Sequence, residues 1–283
     1  DNGLSRAHRP LERIEFADGT VWTAQQIAAR TVNASSAQAD ELIGTSGADA
    51  FSGLAGDDVL RGHAGDDSLW GGVGGDWLFG GAGDDIMFGD DGVDEMDGGE
   101  GNDRLAGGAE ADRLTGQMGD DWLDGGAADD VLSGDEGQDQ LTGGAGNDSL
   151  SGGSGADTYH FSAGWGSDAL FDDDAAQLKF DSTVSSSDVR LWREFYFGFS
   201  DSLLLTHDAS GSSTRIHSFY SATNSTGLSA VFADSSTWTS ADMASRVAGI
   251  LGSAAADTIS LANSGEIRGM AGSDTLNGSA AAD

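Results

Sequence analysis

A single nine-residue unit repeats thirteen times without interruption over residues 44–160. Every unit has Gly at its first position, Asp at its sixth and a large apolar residue at its eighth, from Phe51 to Tyr159. The fourth position is also Gly, except in two units where Glu110 and Ala128 replace it. Because a short fixed period is the signature of stacked repeats, the pattern predicts a solenoid in which each unit contacts only its neighbours.

The residue types within one unit predict a turn of six residues followed by a strand of three. Glycines at the first and fourth positions permit the positive φ values that a tight turn needs. The eighth residue lies in the middle of the strand and is expected to point inward between two facing sheets. A disordered coil rich in Gly and Asp would have no reason to keep an apolar residue at every eighth place. We therefore expect an ordered, all-β fold.

The unit G-G-x-G-x-D-x-U-x, in which U is large and apolar, resembles the RTX (haemolysin-type) calcium-binding repeat of bacterial proteins exported by type I secretion. The resemblance covers about two-fifths of the chain. It implies a right-handed parallel β-roll, in which successive strands alternate between the two sheets.

One buried side chain per nine residues is a thin core. Ordering a residue costs about 1–2 kcal/mol of backbone entropy, whereas a buried Leu returns about 2–3 kcal/mol. Residues 44–160 also contain 27 Asp and Glu, three Arg and no Lys, a net charge of −24. Cations must therefore stabilise the roll. Carboxylates and backbone carbonyls suit Ca²⁺, whereas the absence of Cys and the scarcity of His argue against zinc and soft metals.

The resemblance also implies which atoms bind calcium. Each ion would lie between turns two units apart, held by the sixth-position Asp and the carbonyls of positions two and four of one turn. The other turn would supply its own sixth-position Asp and the carbonyls of positions one and three. Thirteen units, each paired with the unit two further on, give at most eleven such pairs, from Asp49 with Asp67 to Asp139 with Asp157. The expected carboxylate ligands are Asp49, Asp58, Asp67, Asp76, Asp85, Asp94, Asp103, Asp112, Asp121, Asp130, Asp139, Asp148 and Asp157. Expected carbonyl ligands include Gly47, Gly56, Gly65, Gly72, Gly74, Gly81, Gly83, Gly99, Gly101, Gly144, Gly146, Gly153 and Gly155.

Three turns depart from the regular unit. After a two-residue insertion, residues 164–168 reproduce positions two, four and six, so Asp168 is a candidate last ligand opposite Asp148. Glu110 and Ala128 each place a Cβ where the repeat has glycine. We expect the calcium sites that use those two turns to be weaker or empty.

Residues 161–248 are poor in glycine and predict a small β-meander. With their F-A-D-x-x-x-W-T ending they resemble the haemolysin-type calcium-binding-related domain, which implies a cap over the open end of the roll. The alternating apolar residues of the predicted strands are Val189, Leu191, Phe195, Phe197, Phe199, Leu203, Leu205, Ile216 and Phe219.

A longer repetition brackets the roll. The segment 16–23, with F-A-D-G and V-W-T, recurs 216 positions later as F-A-D-S and T-W-T, with Ser235 in place of the glycine. Each copy precedes a predicted short helix capped by Thr23 or Thr239 and then the start of a roll. We interpret the chain as a fragment of a tandem array. Its predicted parts are the end of a preceding cap domain (1–43), the RTX roll (44–160), the β-rich cap (161–248) and the start of a second roll (249–283).

Charge and composition limit the classes of binding partner and the cellular location that we expect. A net charge of −35 argues against nucleic acid and anionic membranes. The sequence has no secretory signal peptide, no apolar run long enough to span a membrane and no Cys, which suits type I export. We expect a secreted, extracellular protein, either free or associated with the cell surface.

Several aromatic residues of the roll are expected to face outward, because they flank the inward residue of a strand. They occupy the ninth position (Trp70, Phe79, Phe88) and the seventh position (Trp77, Trp122). Two interpretations stay open: they pack under the N-terminal helix or the cap, or they form a surface for carbohydrate or a neighbouring module.

The sequence carries no H-E-x-x-H, G-x-S-x-G or Walker motif, so we expect no enzyme activity. We interpret His207, Asp208 and His217, and likewise Glu194 beside Arg193, as surface residues rather than a catalytic cluster. The predicted function is a calcium-binding structural module that folds after export, within a tandem-repeat adhesin or surface-layer-like protein. The alternative is a non-catalytic secretion and folding segment of an RTX exoenzyme, such as a protease, lipase or polysaccharide epimerase. The 216-residue repetition favours the first.

Overall fold

A computed structural model describes residues 13–15, 21–23, 35–172, 175–195, 201–217, 227–251, 258–260, 266–268 and 275–277. Strands dominate these residues, and a single short helix is found among them. The first described elements are β1 (Arg13–Glu15) and β2 (Val21–Thr23), which pair antiparallel.

The nonapeptides form a parallel β-roll, as predicted. Most strands span six residues, because the last three residues of one unit and the first three of the next extend together. Successive strands alternate between two sheets, and each pairs in parallel with the strand two further on, as Leu60 does with Leu78. The strands of the roll are β3 (Glu41–Ile43), β4 (Ala50–Ala55), β5 (Val59–Ala64), β6 (Ser68–Val73), β7 (Trp77–Ala82), β8 (Ile86–Asp91), β9 (Glu95–Glu100), β10 (Arg104–Ala109), β11 (Arg113–Met118), β12 (Trp122–Ala127), β13 (Val131–Glu136), β14 (Gln140–Ala145), β15 (Ser149–Ser154) and β16 (Thr158–Phe161).

The core of the roll is a double row of eighth-position side chains between the sheets. From Leu60 to Tyr159 each of them is at most 1% exposed, which confirms their predicted inward direction. Phe51, at the first unit, is only partly buried. The hydrocarbon core is therefore one side chain wide along each sheet.

The roll begins one unit earlier than the glycine pattern indicates. Residues 35–43 lack glycine, yet Asp40 and Leu42 occupy the sixth and eighth positions of a nonapeptide. Leu42 is 2% exposed, and β3 pairs in parallel with β5. A unit that we had placed in the preceding cap domain thus belongs to the stack.

The region after the roll continues both sheets instead of forming a separate meander. Its elements are β17 (Ser167–Phe171), β18 (Gln177–Phe180), β19 (Val189–Phe195), β20 (Asp201–His207), β21 (Ser213–Ile216), β22 (Ser229–Val231), β23 (Thr237–Thr239) and α1 (Ser240–Arg246). The predicted antiparallel pairing is present in β19–β20–β21, but β21 also pairs in parallel with β17, and β22 with β18. Phe197, Phe199 and Phe219 lie outside the described residues.

The repetition found in the sequence at an interval of 216 residues is also found in the structure. Ile14 pairs with Trp22 in the first copy, and Ala230 pairs with Trp238 in the second. Helix α1 begins with the predicted capping box: the Asp242 N–H donates to Thr239 Oγ1 at 3.2 Å, and the Thr239 N–H donates to Asp242 Oδ2 at 2.9 Å. The helix predicted after Thr23 lies outside the described residues.

The last strands have the alternate pairing of a roll. They are β24 (Val247–Leu251), β25 (Thr258–Ser260), β26 (Glu266–Arg268) and β27 (Thr275–Asn277). Strand β24 pairs in parallel with β26, and β25 with β27. This arrangement fits the predicted start of a second roll, whose turns lie outside the described residues.

Candidate metal sites on the two edges of the roll

Positive φ occurs at the second and fourth positions of the turns, so the expectation for the first position was wrong. The second position is left-handed even where it is not Gly, as at Leu54 (φ 79°) and His63 (φ 82°). The first position requires glycine for a different reason: neighbouring atoms lie too close to leave room for a Cβ. A Cβ added to Gly107 would lie 2.3 Å from Asp112 Oδ2 and 2.8 Å from the Gly125 carbonyl oxygen.

The sixth-position aspartates form two ladders of hydrogen bonds. The backbone N–H of each donates to Oδ1 of the Asp two units further on, at 2.7–2.9 Å from Asp49–Asp67 to Asp139–Asp157. Each predicted pair of ligands is therefore adjacent in the stack. Asp168 also takes its predicted place, because it accepts from the Asp148 N–H at 3.1 Å. We call the row that contains Asp49, Asp67 and Asp85 the odd edge, and the row that contains Asp58 and Asp76 the even edge.

The second carboxylate oxygen of these aspartates is buried without a hydrogen-bond donor in the described part of the chain. This holds for Oδ2 of Asp58, Asp67, Asp76, Asp85, Asp94, Asp103, Asp112, Asp121, Asp130, Asp139 and Asp148. A buried polar atom with no partner costs about 1–3 kcal/mol, and more when it is charged. A row of such atoms at equivalent positions points to a ligand.

A hard cation fits these oxygens. The point where a Cβ of Gly53 would lie is 2.2 Å from Asp58 Oδ2 and 2.6 Å from the carbonyl oxygen of Gly71, the first residue two units on. A side-chain oxygen and a turn carbonyl thus converge at the edge. No group of three or more His, Cys, Asp or Glu that could hold a metal occurs among the described residues. Calcium bound there would need backbone carbonyls beside its two aspartates, as the RTX ligand set has.

The electrostatics of the ladders are unfavourable without a cation. Burial raises the pKa of Asp85 and Asp94 to about 6, and that of Asp103 and Asp112 to about 7. The neighbouring carboxylates raise these pKa values further, while the backbone N–H that each Asp accepts opposes the shift. Burial raises the pKa of Asp168 most, to about 8. The positive charge of a bound cation would offset both causes of the increase.

A second, exposed ladder runs along the odd edge at the fifth position. Backbone N–H groups donate to the side-chain oxygen two units earlier: Asp84 to Asp66 at 3.1 Å, Asn102 to Asp84 at 2.9 Å, and Asp120 to Asn102 at 2.8 Å. Gln138 continues it to Asp120 at 2.9 Å. Sequence reasoning missed this ladder. The available signal was Asp or Asn at the fifth position of alternate units from Asp66 to Asp120.

The first turn differs from the others. Asp49 is half-buried, and its Oδ2 accepts from the backbone N–H and the hydroxyl of Thr45, at 2.6 and 2.9 Å. Gly47 is not left-handed, unlike the other fourth-position residues from Gly56 to Gly155. Asp49 therefore satisfies its second oxygen within its own turn, and its role as a ligand stays a prediction.

The outward aromatic residues are where the pattern predicts. Trp70 stacks on Phe88 with ring centroids 6.1 Å apart, and the Arg61 guanidinium lies over Phe79 at 4.4 Å. Trp77 is 52% exposed. These contacts join residues of neighbouring strands within the outer face of each sheet.

His207 and His217 lie far apart in the described structure. His207 is buried, contrary to expectation: it stacks on Trp165, and its Nδ1 lies 2.7 Å from Ser210 Oγ. His217 stacks on Phe171, at 4.3 Å. In the β20–β21 register the two histidines lie about five residues apart along the sheet, or about 17 Å. Asp208 instead pairs with Arg190 at 2.6 Å on the surface.

Comparison with known families agrees with this geometry. The model of the RTX calcium-binding nonapeptide repeat matches residues 43–78, 70–105, 97–132, 124–159, 133–170 and 264–283, together more than half of the chain. The chain belongs to the RTX calcium-binding repeat family. The family implies Ca²⁺ as the ligand of the roll. A model of the haemolysin-type calcium-binding-protein-related domain matches residues 1–26, whereas our assignment of that domain to residues 161–248 stays a prediction. No curated protein gives a significant match. Within the described residues, no helix has the length and apolar character needed to cross a membrane.

Proposed function

We propose that this RTX chain is a calcium-dependent, non-catalytic structural module of a secreted bacterial protein. It is an open coil in the cytosol and folds after type I export, when calcium becomes available. The observation that carries the proposal is the row of buried Oδ2 atoms that have no donor. The folded roll places these oxygens away from water without a partner, so its stability depends on a ligand that satisfies them.

The free energy that calcium binding contributes is large enough to switch the roll between unfolded and folded states. Extracellular calcium modules have dissociation constants of about 10⁻⁴–10⁻³ M. At tenfold excess calcium, one such site contributes about 1.4 kcal/mol. About eleven sites would give roughly 15 kcal/mol, as much as the whole stability of a domain. Where calcium is scarce this contribution vanishes, and the repulsion among the carboxylates of the roll remains.

We further propose that the chain is part of a tandem array in an adhesin or surface-layer-like protein. The support is the repeated strand pair, in which β1–β2 and β22–β23 share one register, each ahead of a roll. An array of rolls would give a rod that is stiff only when calcium is bound. The sequence that flanks this chain in its parent protein distinguishes an array from the non-catalytic segment of an exoenzyme, since the latter would adjoin a catalytic domain.

A calcium titration monitored by far-UV circular dichroism tests the folding switch. We expect strand signal to appear cooperatively with calcium and to disappear with a chelator. Magnesium at equal concentration is the control for charge screening, because it keeps its waters and demands a small octahedral site. A strand signal that a chelator leaves unchanged, or that magnesium restores equally well, would refute the proposal.

A further inference from the structure

Glu110 occupies the fourth position of the eighth unit, in the middle of the even edge. It adopts φ 69°, so the turn keeps the left-handed geometry that glycine adopts elsewhere. A left-handed residue with a side chain costs about 1 kcal/mol or more relative to glycine. The structure therefore retains an unfavourable residue at a position where glycine would suffice.

The hydrogen bonding around Glu110 differs from that of the other turns. In eight other turns the fourth-position N–H donates to the third-position carbonyl two units on, as Gly74 does to Asp91 at 2.8 Å and Ala128 to Ala145 at 2.7 Å. The Gly92 N–H donates instead to Oε2 of Glu110, at 3.1 Å. The Glu110 carboxylate thus bridges the two turns that carry Asp94 and Asp112, and it takes the place of the Ala109 carbonyl in the ladder.

These two turns frame one of the candidate calcium sites. The Asp94 N–H donates to Asp112 Oδ1 at 2.8 Å, which leaves Oδ2 of both aspartates buried and without a donor. Asp94 is 2% exposed and Asp112 is 3% exposed. Glu110 lies two residues before Asp112, and the Gly92 N–H that its carboxylate accepts lies two residues before Asp94. The three carboxylates are not grouped around one point in the described structure, but their like charges repel one another when no cation is bound.

We propose that Glu110 is a supplementary side-chain ligand of the calcium ion held between Asp94 and Asp112, and that it makes this site the tightest of the even edge. The inference rests on the proposed calcium-dependent function and reverses the expectation that this turn is weak. Calcium affinity rises with the number of charged ligands. The Glu110 side chain is exposed, so its carboxylate has room to leave the Gly92 N–H for the ion, while Ala109 then resumes the regular ladder bond.

Ala128 is a matched comparison on the same edge. It follows Glu110 by two units, occupies the same position and adopts φ 81°. Its methyl group offers no ligand atom. The left-handed conformation of Ala128 is therefore unfavourable and no side-chain contact offsets it. The two sites that use its turn, between Asp112 and Asp130 and between Asp130 and Asp148, remain the weak ones.

Crystals of the full chain soaked at limiting calcium test the inference, because anomalous peak heights measure each site separately. The variants are Glu110→Gln, which removes the charge, and Glu110→Gly, which restores the regular turn, with Ala128→Gly as the control. We expect both Glu110 variants to lose most of the peak between Asp94 and Asp112, a loss of affinity of about tenfold. Ala128→Gly should leave that peak unchanged.

The outcomes separate this inference from the proposed function. If Glu110→Gly kept or raised the peak between Asp94 and Asp112, the glutamate would be a defect and the inference would be overturned. The inference would also be overturned if Glu110→Gly lost this peak while Glu110→Gln kept the wild-type peak, because the charge of Glu110 would then not contribute to calcium binding. Calcium missing from every site of the wild-type crystal would overturn the proposed function itself.

Discussion

Replacement of Asp103 by Asn should stabilise the metal-free roll and weaken its response to calcium. Asp103 is 1% exposed, and its Oδ1 accepts the Asp85 N–H at 2.8 Å. Its own N–H donates to Asp121 at 2.8 Å. Asparagine keeps the shape and the Oδ1 acceptor, so the ladder is preserved. The substitution removes only the charge that a cation would neutralise.

The two effects can be estimated separately. Burial raises the pKa of Asp103 from 3.8 to about 7. A shift of this size destabilises the metal-free folded state by about 4 kcal/mol at pH 8, which the neutral side chain avoids. With calcium present, Asp103→Asn removes a carboxylate from two sites, those shared with Asp85 and Asp121. At tenfold excess calcium the stabilisation by calcium should therefore fall by about 3 kcal/mol.

Guanidinium unfolding at a series of calcium concentrations measures both effects. The slope of the unfolding free energy against the logarithm of calcium concentration reports the number of ions released, and we expect about two fewer for the variant. The matched control is Glu100→Gln, which removes the same charge from an exposed position of the same unit. It should change stability by less than about 0.5 kcal/mol and leave the slope unchanged. Equal slopes for the two variants would show that bulk charge, and not specific ligation, governs the calcium response.

The structure supports three further predictions. The folded-state pKa values of the sixth-position aspartates are raised, so their protonation stabilises the metal-free roll below about pH 4, and this stabilisation is lost as the pH rises through 6 to 8. Circular dichroism in the presence of a chelator should therefore show strand signal at pH 4 and coil at pH 8. The reverse order would contradict the pKa argument. Gly107→Ala places a Cβ 2.3 Å from Asp112 Oδ2 and should cost about 1–3 kcal/mol in thermal unfolding with calcium. Gly47→Ala, where a Cβ meets nothing within 4 Å, should cost much less, and equal losses would exclude a steric cause. Tyr159→Phe removes a buried hydroxyl that donates to Asp172 at 2.7 Å and should cost about 1–3 kcal/mol in denaturant unfolding with calcium; an unchanged midpoint would count against that contact.

The features that sequence could predict are those determined within a unit or between nearest neighbours. The inward direction of Leu60 and its equivalents follows from the two-residue period of a strand. The pairing of Asp58 with Asp76 follows from the resemblance of the repeat to the RTX nonapeptide. The capping box at Thr239 is likewise local, since its bonds span three residues. Because every unit repeats the same local structure, these local rules determine the fold of the whole stack.

The features that sequence did not predict depend on stacking. Leu54 and His63 do not favour positive φ, and their conformation follows from the ladder around them. Residues 35–43 form a unit without glycine, in which an Asp40 oxygen accepts from the Ser36 N–H within its own turn, at 2.7 Å. The available signal for this unit was the spacing of Asp40 and Leu42, which matches the sixth and eighth positions of the repeat. His207 is buried because β20 joins the continuing sheet, where its ring stacks on Trp165, and no local sequence signal marks this.

The nonapeptide roll and the residues that follow it are held together by different interactions, and on the odd edge the change occurs at Tyr159. On the odd edge, the Gln177 N–H donates to the Asp157 carbonyl, so the residue that follows Asp157 in the stack is Ala176 and the carboxylate row ends. There the Tyr159 hydroxyl accepts a backbone N–H at 2.6 Å and donates to Asp172. Beyond this point both sheets continue over a packed aromatic cluster of Phe161, Trp165, Phe180, Phe232 and Trp238, with ring centroids 4.8–5.8 Å apart. Such a core buries far more apolar surface per residue than one Leu per nonapeptide. The need for cations is therefore greatest in the nonapeptide units, and on the even edge it extends one turn further, to Asp168.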